Sequence, residues 1–107
     1  MTMPTIDELN LLHANICQAL GDPKRIQILY ALFESPLHVT ALADTLITPQ
    51  PTISRHLRIL RQRGLVTPHR DGAAVVYYLA DERMIHILDS MRGVLRDSLA
   101  RQSSMMA

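Results

Sequence analysis

Residues 50–66 constrain this chain more than any other stretch of it. Ile53, Leu57, Leu60 and Gly64 fall on one side of a 3.6-residue period, and Pro51, Arg55, Arg58 and Gln62 fall on the other, with Ser54 on the flank between them. That spacing predicts a helix with one face in a core and the other polar, cationic and free of carboxylates. Taken alone, the pattern describes any solvated amphipathic helix. Its neighbours narrow the choice. Upstream, residues 40–46 read as a short helix, separated from the arginine helix by Ile47, Thr48 and Pro49. Downstream, two β-prone runs, 65–70 and 74–79, flank the turn signal Asp71, Gly72, Ala73.

Helix, tight turn, helix and hairpin is the order of a winged helix-turn-helix, so the expected fold is mainly α with a small β-hairpin and about five helices. A chain of 107 residues with 48% hydrophobic content fits one domain, 1–107. A domain this small has a modest core unless it also buries surface against a partner. The single cysteine, Cys17, excludes an intrachain disulfide and suits a reducing compartment. With no cationic, apolar leader and no run long enough to cross a bilayer, the expectation is a cytoplasmic protein without a membrane partner.

The net charge of +1 is small, but it is unevenly placed. Residues 49–72 carry arginines at 55, 58, 61, 63 and 70 against the single acid Asp71, a local +4, which leaves −3 for the rest. Concentration on one element is the footprint of a phosphate contact surface. Gln50, Thr52 and Ser54 add the short polar side chains that read base edges, so double-stranded DNA is the expected partner. A rival use of the same fold is a protein-interaction module whose arginines meet an acidic partner. An enzyme has the least support, since there is no Gly-rich phosphate loop, no paired carboxylates attributable to a pocket and no nucleophile beyond Cys17.

Along the chain, Thr5 to Glu8 forms a capping box opening a first helix, 5–20, with apolar positions at Leu9, Leu12, Ile16 and Leu20, ended by Gly21. Asp22 and Pro23 supply a cap and a first-turn proline for a second helix, 23–34, with Ile26, Leu29, Tyr30 and Phe33 turned inward. Thr48 and Pro49 are the corresponding pair for the arginine helix, within a helix-turn-helix spanning 40–64 and followed by a wing at 65–79. Asp81 caps a final helix, 81–102, and residues 103–107 read as a frayed tail. The final helix carries a stripe at Met84, Leu88, Met91, Leu95 and Leu99, more apolar surface than one small core absorbs. Leu9, Leu12 and Ile16 with Leu88, Met91 and Leu95 are therefore the expected interface of a homodimer, which would place two recognition helices in successive major grooves.

Two runs carry a family resemblance: Ala19-Leu20-Gly21-Asp22-Pro23-Lys24-Arg25-Ile26-Gln27-Ile28-Leu29, and Gln50 to Leu60 followed by Gly64-Leu65-Val66. Together they closely resemble the ArsR/SmtB family of small dimeric bacterial repressors, over about residues 9–101. The resemblance implies a repressor bound to an inverted-repeat operator and released when a metal ion or oxidation alters the dimer. It implies further that Gln50, Thr52, Ser54 and Arg55 enter the major groove beside Arg58, and that Arg70 approaches the minor groove or its phosphates.

The sensing side departs from that family. His38 and Thr40 stand where one well-known metal site has its cysteines, and Arg83 and Val94 stand where another has histidines, although Asp81 and Asp97 match its carboxylates. An arginine cannot ligate a metal. The expectation is no metal and no cofactor, with the effector left open. What remains is His13 and Cys17, one turn apart, which could meet a partner's His86 in a metal- or redox-responsive derepressor, and His86 with Asp89, also one turn apart. His56 is read as a packing residue or phosphate neighbour, His69 as part of the first wing strand, and His38 as a local cap.

Overall fold

The computed structural model describes residues 2–106, ordered α1 (Ile6–Leu12), α2 (Pro23–Glu34), β1 (Leu37–His38), α3 (Val39–Thr45), α4 (Gln50–Gln62), β2 (Val66–Asp71), β3 (Ala74–Leu79) and α5 (Arg83–Met106). Thr5 caps α1, its hydroxyl accepting from the Glu8 N–H at 3.2 Å. The helix does not run on regularly to Leu20. His13–Cys17 forms a wider π turn, in which the Gln18 N–H reaches the His13 carbonyl at 2.9 Å, and Ala19–Gly21 then tightens into a 3-10 turn. Each change of pitch rotates the residues beyond it about the helix axis, so the stripe expected along one face is split. Leu9 and Leu12 are exposed, whereas Ile16 and Leu20 lean on the core.

The second helix begins and ends as expected, with Asp22 Oδ1 accepting from the Lys24 N–H at 2.8 Å. Its buried face is Ile28, Leu29 and Leu32, flanked by Ile26 and Tyr30. Phe33, expected inside, is 43% exposed. It follows Leu32 by about 100° of helical rotation, enough to leave the face that packs on α4 and α5.

Two helices of the motif end in the same way. After α3, the Ile47 N–H donates to the Asp44 carbonyl at 3.3 Å and the Thr48 N–H to the Ala43 carbonyl at 3.0 Å, with Ile47 left-handed at φ 48°. After α4, the Gly64 N–H donates to Arg61 at 3.0 Å and the Leu65 N–H to Leu60 at 2.9 Å, with Gly64 at φ 74°. Both are Schellman closures, which favour glycine at the left-handed residue. Gly64 thus terminates the helix and is no part of its apolar face. Thr48 does not cap α4: it stands one residue before the cap position, and its hydroxyl donates back to the Leu46 carbonyl at 2.9 Å. Pro49 holds the cap position and Pro51 lies in the first turn, where a missing N–H costs nothing.

Ile53, Leu57 and Leu60 are fully buried against Leu42 of α3 and Ile28 and Leu29 of α2. The sheet is antiparallel in the order β1-β3-β2, with Leu37 opposite Tyr77 and Arg70 opposite Val75. At two residues, β1 is too short to show a period, and its His38 makes no side-chain cap to α3, contrary to expectation. Asp81 opens α5, accepting from the Arg83 N–H at 2.9 Å. The first turns of α5 close the core with Met84, Ile85 and Leu88. Leu88, expected at a dimer interface, is 3% exposed inside the protomer, three residues on from Ile85 and on the same face. Beyond it, α5 continues as a helix through the expected tail to Met106, while Met1 and Ala107 lie outside the described residues. A radius of gyration of 16.5 Å exceeds the roughly 13 Å of a compact chain this long, so the protomer is elongated. No helix among the described residues is long and apolar enough to cross a membrane.

Candidate nucleic-acid interface

The exposed face of α4 carries Ser54, Arg55 and Arg58, with Pro51 and Gln62 beside them, and it exists because Ile53, Leu57 and Leu60 fix the opposite face in the core. Thr52 is half-buried on the flank. Gln50 is exposed, yet its Nε2 donates to Thr40 Oγ1 at 2.9 Å, fastening the start of α4 to α3. That exposed bond adds to the packing that already holds α3 against α4. Arg70 projects from β2 one pair short of the hairpin turn, where Gly72 supplies the left-handed φ of 63° that a two-residue loop requires. Among the described residues the ion pairs are Arg83 with Asp81 and Arg92 with Asp89, so Arg55, Arg58 and Arg70 are in none. Their charge is available to an outside anion.

Behind this surface lies a contact that the residue pattern did not reveal. His56 is the buried polar side chain of the core, and its Nδ1 stands 3.4 Å from Arg25 Nη1. Arg25 also donates from Nε to the Ala19 carbonyl at 2.7 Å and from Nη2 to the Gln18 carbonyl at 3.1 Å. Burial holds the His56 imidazole below its usual pKa, against the pull of the Asp22 carboxylate. The signal was present in the period, since His56 stands three residues after Ile53 and four before Leu60, on the apolar side. His69 lies in β2 as expected, with its ring edge-on to Tyr78 at 4.9 Å.

The candidate sensing residues lie on the surface of the protomer, on two different elements. His13 and Cys17 bound the π turn with both side chains exposed, and His86 is exposed on α5. Asp89, considered with His86, is committed elsewhere: it accepts from Tyr30 Oη at 2.6 Å and Arg92 Nη1 at 3.1 Å, and the Tyr30 hydrogen bond leads in lowering its pKa. Asp81 is held by the Arg83 guanidinium, which brings its carboxyl down to about 2. Within one protomer, no group of three His, Cys, Asp or Glu side chains that could hold a metal ion is found among the described residues.

Residues 22–67 match the profile of a family described as bacterial regulatory protein, arsR family. The crystal structure of Rv0081 from Mycobacterium tuberculosis superimposes with a TM-score of 0.78 at 30% identity, covering 94% of this chain and 98% of that one. The chain belongs to the ArsR family. Another similar protein is the HTH-type transcriptional repressor SmtB of Mycobacterium tuberculosis, 42% identical over 85 residues, which are 78% of this chain and 63% of that repressor. This chain thus spans less than two thirds of SmtB's length. Among similar structures, the homodimeric winged helix-turn-helix DNA-binding domain of Mb0332 from Mycobacterium bovis, described as a possible ArsR-family transcriptional regulator, gives a TM-score of 0.76 at 27% identity, over 94% of this chain and 95% of that domain. Winged helix-turn-helix architecture and family are therefore established together, from the fold and from the sequence.

Proposed function

We propose that this chain is a homodimeric transcriptional repressor that binds an inverted-repeat DNA operator through α4 and the β2–β3 wing. The observation that carries the reading is the α4 face itself: Ser54, Arg55 and Arg58 exposed together, with no acid on the helix and, among the described residues, no ion pair holding the arginines. Arg58 and Arg70 supply phosphate contacts, and Arg55 with Gln50, Thr52 and Ser54 reads base edges. Gln50 does so after exchanging its bond to Thr40 for one to a base. Dimerisation uses Leu9 and Leu12 of α1, Ile16 at the edge of the core, and Met91 and Leu95 of α5. Two protomers so joined would set their recognition helices about 34 Å apart, one turn of duplex.

Selecting bound fragments from the source genome tests this. Enrichment of one inverted repeat, with affinity that falls steeply as salt rises, is the expected result. Binding without sequence preference, or capture by an acidic protein in place of duplex, would overturn it. Titrating the complex with thiol oxidants and divalent metals reads the sensing side. Cys17 is the exposed thiol, so Cys17→Ser should leave basal binding intact and remove any release by oxidant.

A further inference from the structure

His56 is 5% exposed on the core-facing side of α4, and Arg25 is the group that meets it. One guanidinium reaches the Ala19 and Gln18 carbonyls, where the α1 segment ends, and also the back of α4. Arg25 itself sits in the first turn of α2, so a single side chain ties three elements. A guanidinium has donors only, so its contact with Nδ1 requires that nitrogen to be unprotonated, with the ring hydrogen on Nε2. A protonated imidazole has donors on both nitrogens and a charge facing Arg25. The bond is then lost and replaced by repulsion.

The charged groups around the ring act in both directions. Asp22, capping α2, favours the imidazolium, while Arg25 and Lys24 of α2 and Arg55 of α4 itself oppose it, and burial opposes it most. The contact is therefore intact at neutral pH and is lost only below the ordinary histidine value of 6.5.

We propose that the neutral His56–Arg25 contact is a proton-sensitive latch setting the recognition helix against the α1–α2 junction, so that protonating His56 releases α4 and weakens operator binding. Arg25 is a positioning residue that acts through His56. The inference rests on the DNA-binding reading, and its direction sets it apart from general electrostatics. Protonating the other histidines adds positive charge and strengthens attraction to a polyanion, whereas release of α4 weakens binding.

Two measurements test it. The first is operator affinity at fixed ionic strength from about pH 8 to about pH 5, for the wild-type chain and for His56→Asn, whose Oδ1 replaces Nδ1 as an acceptor that does not titrate. Wild-type affinity should fall below the His56 titration, by up to about tenfold per unit for the latch of each protomer, and His56→Asn should match it at neutral pH but hold its affinity in acid. The second follows the His56 ring and the α4 amides of the free wild-type dimer by NMR, where both should move with one midpoint while the remaining core signals persist. Superimposable pH profiles for the two proteins, or a His56 titration that leaves the α4 amides in place, would overturn the latch. If His56→Asn fails to fold, the NMR titration of the wild type decides alone. Failure of the wild type to bind DNA at any pH would overturn the DNA-binding reading, and the NMR experiment would still judge the latch.

Discussion

At the scale of single residues, the proposed interface assigns some groups to reading sequence and others to holding phosphate. Arg55 points away from the Ile53/Leu57/Leu60 face and is in no ion pair among the described residues, so Arg55→Ala should leave the fold intact. The expected loss is roughly 1–3 kcal/mol of preference for the operator, measured as the ratio of specific to non-specific affinity. Arg70→Ala should instead weaken operator and random DNA alike and make the salt dependence shallower by about one unit. An unchanged slope would remove the wing arginine from the interface. Ile47 presents a different case. It is β-branched, 92% exposed and left-handed at a helix closure that glycine fills at the end of α4. Ile47→Gly relieves that backbone and should raise stability by about 1 kcal/mol, seen as a higher urea midpoint at unchanged m.

At the scale of elements, what the sequence disclosed depends on how each element is specified. The limits of α2 could be read because Asp22, Pro23 and Ser35 punctuate it locally, and the core face of α4 because Ile53, Leu57 and Leu60 repeat with one period. The wing was legible from its turn residues. Elements set by tertiary contact were not: β1 is a strand because β3 lies beside it, and the π turn at His13–Cys17 has no residue signature of its own. The candidate site divides in the same way. Its arginine face could be read from charge and period, whereas the Arg25 bridge could not, because it joins the nearby carbonyls of Gln18 and Ala19 to His56, which stands 31 residues from Arg25. The capping of α4 was misplaced by one residue for a related reason, since the Thr48 N–H belongs to the closure of α3, at the Ala43 carbonyl, and Pro49 holds the cap position.

At the scale of the whole molecule, α5 changes character along its length. Its first turns are core, with Met84, Ile85 and Leu88 buried, while Leu95 and Leu99 further on stand 57% and 53% exposed. A stripe of that kind on an elongated protomer is the surface a second copy would cover, together with Leu9 and Leu12 of α1. Substitutions on the two halves should therefore fail differently. Leu88→Ala removes packing inside each protomer and should cost about 2–5 kcal/mol of stability whatever the state of assembly. Leu95→Glu combined with Leu99→Glu places charge where the protomer alone is exposed, so the protomer should fold and the dimer should not form. Sedimentation should then show monomers with native circular dichroism, and the melting temperature should no longer depend on protein concentration. Operator affinity should fall with it, because each half-site alone makes half the contacts. A double variant that still sediments as a dimer would place the interface elsewhere on the molecule.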